Sequence, residues 1–459
     1  KRQFLRHLNV LIGQQSLIQV TQGLRMELNN LAMNLNKRIA VLGAGPMGLA
    51  TAFYLIKKGY CPDIYEADDR VGGMAASFDF NGINIERFYH YHCTSDDAYF
   101  EVLNDLKLIN KFHWVNTKMG FYYNKSLQEW GNPFALLRFK GLSMLDKVRF
   151  GLHAFYTVKK NNYEDLDQIS AIDWIKNWLG DSAYTKLWEK LFTYKFYDLS
   201  KEISAAWIWA RVRRMGRSRY NLMHEKLGYL EGGSKTLLEE LQEYIKNNGG
   251  QFFLKSPVQQ IIIEKKKIVG IKINNKKKKY EEVISTIPIP YIPKIIPNLP
   301  SDIIHKFKAI KNVAVVCVIV KLRRPVSPYF WVNVNDEGMD IPGFVEYSNL
   351  RPMDNSIVYI PFYMPQSLKK FNDSDILFIN KVKSYLIKIN PKLDTDDFID
   401  MHVSRYLYSQ PICTPKFLQQ LPPIDCGIKG LKIADTSYYY PEDRGISESF
   451  NFAKNFLIR

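Results

Sequence analysis

The clearest succession of apolar and polar segments lies between residues 37 and 66. Residues 37–42 read as a short buried strand, three glycines follow within six positions, and a second apolar run at 49–56 has the spacing of a helix. Residues 63–66 then read as another short strand. This order predicts a compact βαβ unit with a glycine turn at the start of its helix.

Further elements follow along the chain. Residues 74–85 predict a β-hairpin that turns at Asn81-Gly82, residues 97–108 predict a helix, and a second hairpin begins near residue 120. Separate amphipathic helices are predicted at 145–159, 170–179 and 183–192, with Ser170 as an N-cap and Gly180 as a helix end. We also predict a strand at 252–261, strands with one helix at 289–405, and a final strand, loop and helix at 430–456.

The glycine turn has the spacing of a phosphate-binding loop. Gly43 permits the tight turn, Gly45 lets the backbone approach a pyrophosphate, and Gly48 allows close packing of helix against sheet. The helix N-terminus supplies free N–H groups and the positive end of the helix dipole. Glu66, which ends the second strand, is expected to hold an adenosine ribose.

The segment after Glu66 extends this signal. Residues 66–73 place Arg70 and a glycine pair where a flavin dinucleotide needs a second phosphate contact and close backbone approach. The alternative is a loop arginine that pairs with an aspartate at position 68 or 69. The combined pattern favours flavin binding.

These residues resemble the FAD-binding signature of the amine oxidase and protoporphyrinogen oxidase superfamily, whose relatives include carotenoid desaturases and UDP-galactopyranose mutases. The resemblance covers residues 37–459 and is weak between 289 and 405. Segments 87–92, 203–207 and 438–445 resemble protoporphyrinogen-oxidase-like proteins found beside bacterial polysaccharide and glycolipid genes. The resemblance implies FAD as the cofactor, held by Gly43, Gly45, Pro46, Met47, Gly48, Glu66, Ala67, Arg70, Gly72, Gly73, Met74, Val258, Asp435, Gly445 and Ile446.

The predicted fold class is α/β. A discontinuous, Rossmann-like FAD-binding domain of the glutathione-reductase type takes residues 37–105, 226–288 and 406–459. A helical cap or substrate region takes residues 106–225, and a sheet-based α+β substrate domain takes residues 289–405. Residues 1–36 form an N-terminal extension, and we expect that a chain lacking residues 1–32 still binds flavin.

Composition narrows the class of protein and its partners. Hydrophobic residues make up 46% and aromatic residues 14% of the chain, which excludes a disordered protein. The longest apolar run, at 313–320, is too short to cross a bilayer. A net charge of +17 favours anionic partners, and no motif for nucleic acid accompanies it. Five cysteines without metal-ligand spacing predict no metal site and a cytoplasmic protein, with peripheral contact to the inner face of the membrane as an alternative.

His90 and His92 are the candidate catalytic acid–base residues. Imidazole titrates near neutral pH, and the loop after the first hairpin commonly approaches the flavin ring in the superfamily that this chain resembles. If the segment is extended, both side chains lie on one face. The alternative is a pair of hydrogen-bonded structural histidines beside Tyr89 and Tyr91.

Candidate substrate contacts come from an arginine cluster and a tyrosine run. The arginines follow two tryptophans, and their guanidinium groups suit two-point binding of phosphate or carboxylate. The alternatives are a solvated helix end for the arginines and core packing for the tyrosines. The predicted substrate residues are Arg211, Arg213, Arg214, Arg217, Tyr438 and Tyr439. The lysine that amine oxidases direct toward flavin cannot be placed in this sequence, because Lys321 is a candidate only by its position after a long strand. This argues against amine oxidation.

Three functions are compatible with these residues. The first is an FAD-dependent oxidoreductase that transfers hydride to flavin from an anionic sugar, nucleotide-sugar or lipid-linked substrate. The second is a non-redox flavoenzyme similar to UDP-galactopyranose mutase. The third is a non-enzymatic prenyl or lipid carrier of the same fold, against which the intact glycine motifs argue.

Overall fold

The computed structural model describes residues 37–219, 221 and 225–458, so the predicted N-terminal extension lies outside the described residues. In chain order the strands are β1 (Arg38–Leu42), β2 (Cys61–Tyr65), β3 (Ser77–Phe80), β4 (Ile83–Glu86), β5 (Phe112–Thr117), β6 (Met119–Tyr123), β7 (Ser126–Trp130), β8 (Glu225–Leu230), β9 (Gln251–Phe253), β10 (Gln260–Glu264), β11 (Lys267–Ile273), β12 (Lys276–Lys279), β13 (Val283–Ser285), β14 (Asn312–Leu322), β15 (Trp331–Asn335), β16 (Gly343–Glu346), β17 (Ser356–Pro365), β18 (Phe398–Pro411) and β19 (Leu431–Ile433).

The α-helices are named in the same way. They are α1 (Pro46–Lys57), α2 (Asp97–Asp105), α3 (Pro133–Arg138), α4 (Met144–Lys159), α5 (Ala171–Leu179), α6 (Asp181–Tyr184), α7 (Lys190–Phe196), α8 (Ala205–Arg217), α9 (Ser234–Asn247), α10 (Ile292–Ile295), α11 (Ser301–Ala309), α12 (Asp375–Ile389), α13 (Phe417–Gln420) and α14 (Ile446–Phe452). A π-helical segment, Thr185–Glu189, joins α6 to α7.

A five-stranded parallel sheet carries the glycine turn. Its order is β19-β13-β1-β2-β9, and β1 pairs with β2 from Arg38 opposite Cys61 to Leu42 opposite Tyr65. The sheet interior is apolar, and α1 buries Leu49 in the same core. Such burial is usual for parallel strands, which are covered by helices. The predicted Rossmann-like α/β fold is confirmed.

The strand predicted at 252–261 is instead two strands in different sheets. Strand β9 ends at Phe253 at the edge of the parallel sheet, and β10 begins at Gln260 in a separate sheet with β11 and β12. Lys255 has a positive φ of 49°, which turns the chain, and Pro257 has no N–H to donate to a neighbouring strand. Val258 therefore lies in the connection and not within a strand.

A seven-stranded mixed sheet forms the second layer, with the order β18-β14-β17-β16-β15-β6-β7. Strand β14 is buried along its whole length. The hairpin of β6 and β7 joins this sheet because β6 pairs in parallel with β15, Met119 opposite Trp331. Residues 119–130 thus belong to this sheet and not to the helical cap or substrate region predicted at 106–225. Strand β18 also runs across the predicted boundary at residue 405.

Helices α3 to α8 form the cap over the cavity between the two sheets. The hydroxyl of Ser170 accepts a hydrogen bond from the N–H of Asp173 at 3.1 Å, as expected for an N-cap, and Gly180 ends the helix with a φ of 79°. Trp209 of α8 donates its ring N–H to the carbonyl of Thr157 in α4 at 3.1 Å. This bond holds the two long cap helices together.

Candidate flavin and substrate site

The turn between β1 and α1 forms an open cradle. A Cβ on Gly48 would overlap the carbonyl oxygen of Gly43, so only glycine allows the close approach of helix and turn. A Cβ on Gly45, in contrast, would meet no atom within 4 Å. Gly45 lines the cavity and immediately precedes α1. The open space there, next to a helix N-terminus, fits a pyrophosphate.

The carboxylate of Glu66 is fixed beside this turn. Its Oε2 accepts a hydrogen bond from the N–H of Ala44 at 2.7 Å, and its Oε1 accepts one from the N–H of Asp68 at 2.9 Å. The side chain therefore lies at the end of β2 next to the glycine turn. This position fits the ribose contact that the sequence predicts.

The second phosphate contact predicted for Arg70 is not preformed. Its Nε lies 2.7 Å from Oδ1 of Asp69, and its Nη1 donates to the carbonyl of Ser77 at 3.2 Å. Arg70 therefore pairs with Asp69, as in the alternative that the sequence left open. The adjacent glycines come close to the cradle, because a Cβ on Gly73 would lie 3.3 Å from the Cα of Gly45.

The C-terminal segment closes the same site. Asp435 is buried, and its carboxylate accepts hydrogen bonds from the N–H groups of Ser437 and Ile289, each at 2.9 Å. Burial raises the pKa of this carboxyl group, against the effect of those hydrogen bonds. Gly445 is the N-cap of α14, and Ile446 is its first residue. The N-termini of α1 and α14 thus reach one cavity.

This cavity has a volume of about 1060 Å³ and continues from the glycine turn into the cap. The predicted residues that line it are Gly45, Pro46, Met47, Gly48, Gly73, Met74, His90, His92, Arg211, Arg214, Asp435, Tyr439, Gly445 and Ile446. The predicted residues that lie outside its lining are Gly43, Glu66, Ala67, Arg70, Gly72, Arg213, Arg217, Val258 and Tyr438.

The two histidines have different surroundings. His92 stacks on Tyr99 with ring centroids 3.6 Å apart, and its Nδ1 lies 3.4 Å from Oδ2 of Asp96. Burial lowers its pKa in spite of that carboxylate. The Nδ1 of His90 is buried without a hydrogen-bond partner among the described residues. Burial, with the charge of His92 as a second cause, lowers the pKa of His90 to about 4, so this imidazole is neutral at pH 7.

The predicted arginines of α8 lie on different faces of the helix, so only some of them reach the cavity. Arg211 and Arg214, three residues apart, line the cavity and are paired with carboxylates. Arg211 Nη2 donates to Oδ1 of Asp443 at 2.6 Å, and Arg214 Nη2 donates to both carboxylate oxygens of Asp96.

The other predicted substrate side chains have structural contacts. Arg213 lies over the ring of Trp209, and Arg217 is exposed and donates to Oδ1 of Asn161. The hydroxyl of Tyr438 donates to the carbonyl of Pro422 at 2.8 Å. The contacts predicted for Arg213, Arg217 and Tyr438 with substrate stay predictions.

Sequence reasoning missed several polar residues of the cavity, namely Lys195, Asp443 and Arg444. Lys195 lies in a cap helix whose pattern resembles an ordinary amphipathic helix, so no local signal indicated it. Arg444 immediately precedes the predicted flavin contact Gly445, which is a signal that was available. Lys321 lies outside the cavity lining, and its Nζ donates to the carbonyl of Asn81 at 2.9 Å. It therefore does not supply the lysine of an amine oxidase.

Comparison with known proteins identifies the family. The family of flavin containing amine oxidoreductases matches residues 48–405, so the chain belongs to this family. A 15-cis-phytoene desaturase of Synechococcus elongatus is 23% identical over 290 residues, which is 57% of this chain and 60% of that protein. The chain thus spans about three fifths of that relative's length.

Solved structures share the fold. A putative protoporphyrinogen oxidase from Exiguobacterium sp. 255-15 has a TM-score of 0.71 at 18% identity, covering 92% of this chain and 98% of that chain. A reduced UDP-galactopyranose mutase has a TM-score of 0.69 at 15% identity, covering 91% and 94%.

Membership of this family makes the chain a flavoprotein, and FAD is the flavin that fits a dinucleotide-binding βαβ unit. The open glycine cradle, the fixed Glu66 carboxylate and the N-terminus of α14 fit this cofactor. None of the described helices is both long and apolar enough to span a membrane.

Proposed function

We propose that the protein is an FAD-dependent oxidoreductase that acts on a lipid-linked substrate. The observation that carries this proposal is the cavity, which continues from the glycine cradle into the apolar cap. When bound, FAD supplies the hydride acceptor for such a reaction. The residues of the chain then have to bind the substrate, orient it and exclude water.

The cap half of the cavity suits an apolar chain. Its wall is built from apolar side chains of four segments: Leu136 of α3, Phe150 and Phe155 of α4, Leu187 of the π-helical segment and Leu191 of α7. A sugar or nucleotide would leave these apolar groups poorly matched, whereas a hydrocarbon chain buries surface against them. The name of the phytoene desaturase relative also describes an apolar substrate.

Exposed apolar side chains next to this wall support contact with a membrane. In the described part of the chain, eight of the fourteen exposed large apolar side chains lie between residues 134 and 156: Phe134, Leu137, Met144, Leu145, Val148, Leu152, Phe155 and Tyr156. Phe155 is 65% exposed and also lines the cavity, so the cavity opens at α4. A patch of this kind is costly on a surface that contacts only water.

The charges around this patch select the kind of membrane. Residues 131–160 contain six lysines and arginines and one acidic residue, Asp146. Arg138, Lys140 and Lys159 are exposed at the ends of α3 and α4. We therefore expect the patch to lie on a bilayer with anionic lipids, from which a lipid-linked substrate enters the cavity.

Anaerobic reduction of the flavin tests the proposed reaction. Polyprenyl lipids in detergent micelles and soluble nucleotide sugars are mixed separately with the oxidised, FAD-loaded protein. We expect the visible flavin absorption to bleach with a lipid and not with a nucleotide sugar. Ala154→Trp, which fills the cap half of the cavity, should prevent bleaching by the lipid while reduction by dithionite is unchanged. Conversion of a nucleotide sugar by reduced protein without net oxidation would instead support the mutase alternative.

Vesicle flotation tests the membrane contact separately. We expect binding to vesicles with phosphatidylglycerol and weaker binding to pure phosphatidylcholine. Leu145→Ser with Leu152→Ser should abolish binding, because these side chains are 67% and 57% exposed on α4. Ile376→Ser with Leu377→Ser is the matched control, since that pair on α12 is 57% and 56% exposed. Unchanged binding of the α4 variant, or a wild-type dimer that only this variant dissociates, would contradict the proposal.

A further inference from the structure

One lysine of the cap lies at the cavity without a counter-ion. Lys195 is in α7, and its Nζ is 5.2 Å from the ring centroids of both Trp207 and Tyr363 and 5.7 Å from that of Phe196. Among the described residues this ammonium group has no hydrogen bond or ion pair. Burial, followed by the charge of Arg211, lowers the pKa of Lys195 to about 7.

Two arginines share its surroundings. Arg211 stacks on the ring of Trp207, which also lies near Lys195. The charge of Arg444 opposes the rise that burial causes in the pKa of Tyr363, the second ring near Lys195. Its Nη1 donates to Oε1 of Gln410 at 3.0 Å. Lys195, Arg211 and Arg444 all line the cavity. The two aromatic rings thus place three cationic side chains around one part of it.

Two carboxyl groups, Asp443 and Glu442, lie near these three cations, and burial raises the pKa of Glu442. The carboxylate of Asp443 attracts the charges of all three cations. It already accepts hydrogen bonds from Arg211 Nη2 at 2.6 Å and from the N–H of Arg444 at 2.8 Å. Aromatic faces attract an ammonium group only weakly compared with the hydration that it loses. An anion in the cavity would complete the charge balance and give Lys195 a hydrogen-bond acceptor.

We propose that Lys195, Arg211 and Arg444 form the subsite for an anionic end group of the substrate, a carboxylate or a phosphate. This inference rests on the proposed function and adds the chemistry of the substrate's polar end. The apolar chain lies against the cap helices, and the end group lies between the lysine and the two guanidinium groups. Guanidinium groups can bind either anion at two points, and the lysine adds a point charge.

Three ligands of equal chain length test the subsite: decanoate, decyl phosphate and decanol. Their binding to the FAD-loaded protein is measured by calorimetry, a readout that does not depend on turnover. Because hydrogen bonds to charged groups are strong, we expect both anions to bind at least about tenfold more tightly than decanol. Comparison of the two anions shows which end group the subsite prefers.

Two substitutions on the same helix separate the subsite from general effects. Lys195→Met keeps an unbranched side chain that is one atom shorter and has no charge, so it should remove most of the preference for the anions, while decanol still binds with unchanged affinity. Lys190→Met is the matched control, because Lys190 lies over the ring of Tyr194 at 5.6 Å and does not line the cavity. It should keep the full preference. The flavin absorption of each variant reports whether the fold is intact.

The outcomes distinguish the subsite from the proposed function. Equal binding of anions and decanol to the wild type, or an unchanged preference in Lys195→Met, would overturn the subsite and leave the lipid-linked substrate standing. Failure of all three ligands to bind would overturn both. A preference that is lost in Lys195→Met and kept in Lys190→Met would support the subsite.

Discussion

Removal of Arg214 should leave a buried carboxylate unpaired and destabilise the whole fold. Arg214 Nη2 donates to Oδ1 and Oδ2 of Asp96 at 3.0 and 2.9 Å. The two side chains are 13% and 2% exposed. Asp96 also accepts a hydrogen bond from the N–H of Cys93, which holds its carboxylate in place. Without the guanidinium group the carboxylate of Asp96 keeps only the hydrogen bond from Cys93 and the contact with His92.

We expect Arg214→Met to lower the free energy of unfolding by about 3–5 kcal/mol, the usual effect of removing one partner of a buried ion pair. Most of this loss comes from the carboxylate that is left behind and not from the attraction that is lost. Arg217→Met is the control on the same helix. Arg217 is exposed, so this change should alter the free energy of unfolding by less than about 0.5 kcal/mol.

Urea titration of the FAD-loaded proteins, followed by circular dichroism, measures both differences. Burial acts to raise the pKa of Asp96, but the hydrogen bond from His92 and the charge of Arg214 hold it below its usual value. The advantage of the wild type should thus be complete above the unfolded pKa of aspartate and should fall as the pH drops through the folded pKa. A loss under about 1 kcal/mol at neutral pH, or an equal loss in Arg217→Met, would refute the reasoning.

Three further predictions concern the cradle and the buried titratable groups. Gly45→Ala should fold normally and bind FAD more weakly, because its Cβ occupies only the open space of the cradle. Gly48→Ala should fold poorly, because its Cβ overlaps the carbonyl oxygen of Gly43. Flavin content measures the first effect and melting temperature the second. His90→Gln should leave the dependence of kcat/KM on pH unchanged between about pH 6 and 8, because an imidazole with a pKa of about 4 stays neutral there. Loss of a titration step from the pH profile of the variant would contradict this. Lys195→Met should raise the melting temperature most below pH 7, because a folded pKa of about 7 against 10.5 penalises the folded state while the lysine is charged. That gain should shrink as the pH rises from 7 toward 10.5, and a gain independent of pH would count against a partly buried ammonium group with a lowered pKa.

The nucleotide-binding half of the molecule was predictable from short segments. The glycine spacing at 43–48, the Asn81-Gly82 turn and the Ser170 cap each act through neighbouring backbone atoms. Such signals are complete within a few residues, so the sequence contains all that is needed to place them. The family resemblance then linked the two chain ends, and Gly45 and Gly445 do line one cavity.

Contacts between distant residues decided the rest. The pairing of β6 with β15, which moves residues 119–130 into the second sheet, has no local pattern. Arg214 meets Asp96 across 118 residues and Arg211 meets Asp443 across 232, so their partners were not visible in the sequence. Whether an arginine or histidine is free, paired or neutral depends on burial and on neighbouring charge, and both arise only when the chain packs. The chemistry of FAD binding was therefore local, whereas the charge state of the substrate cavity is a product of the tertiary fold.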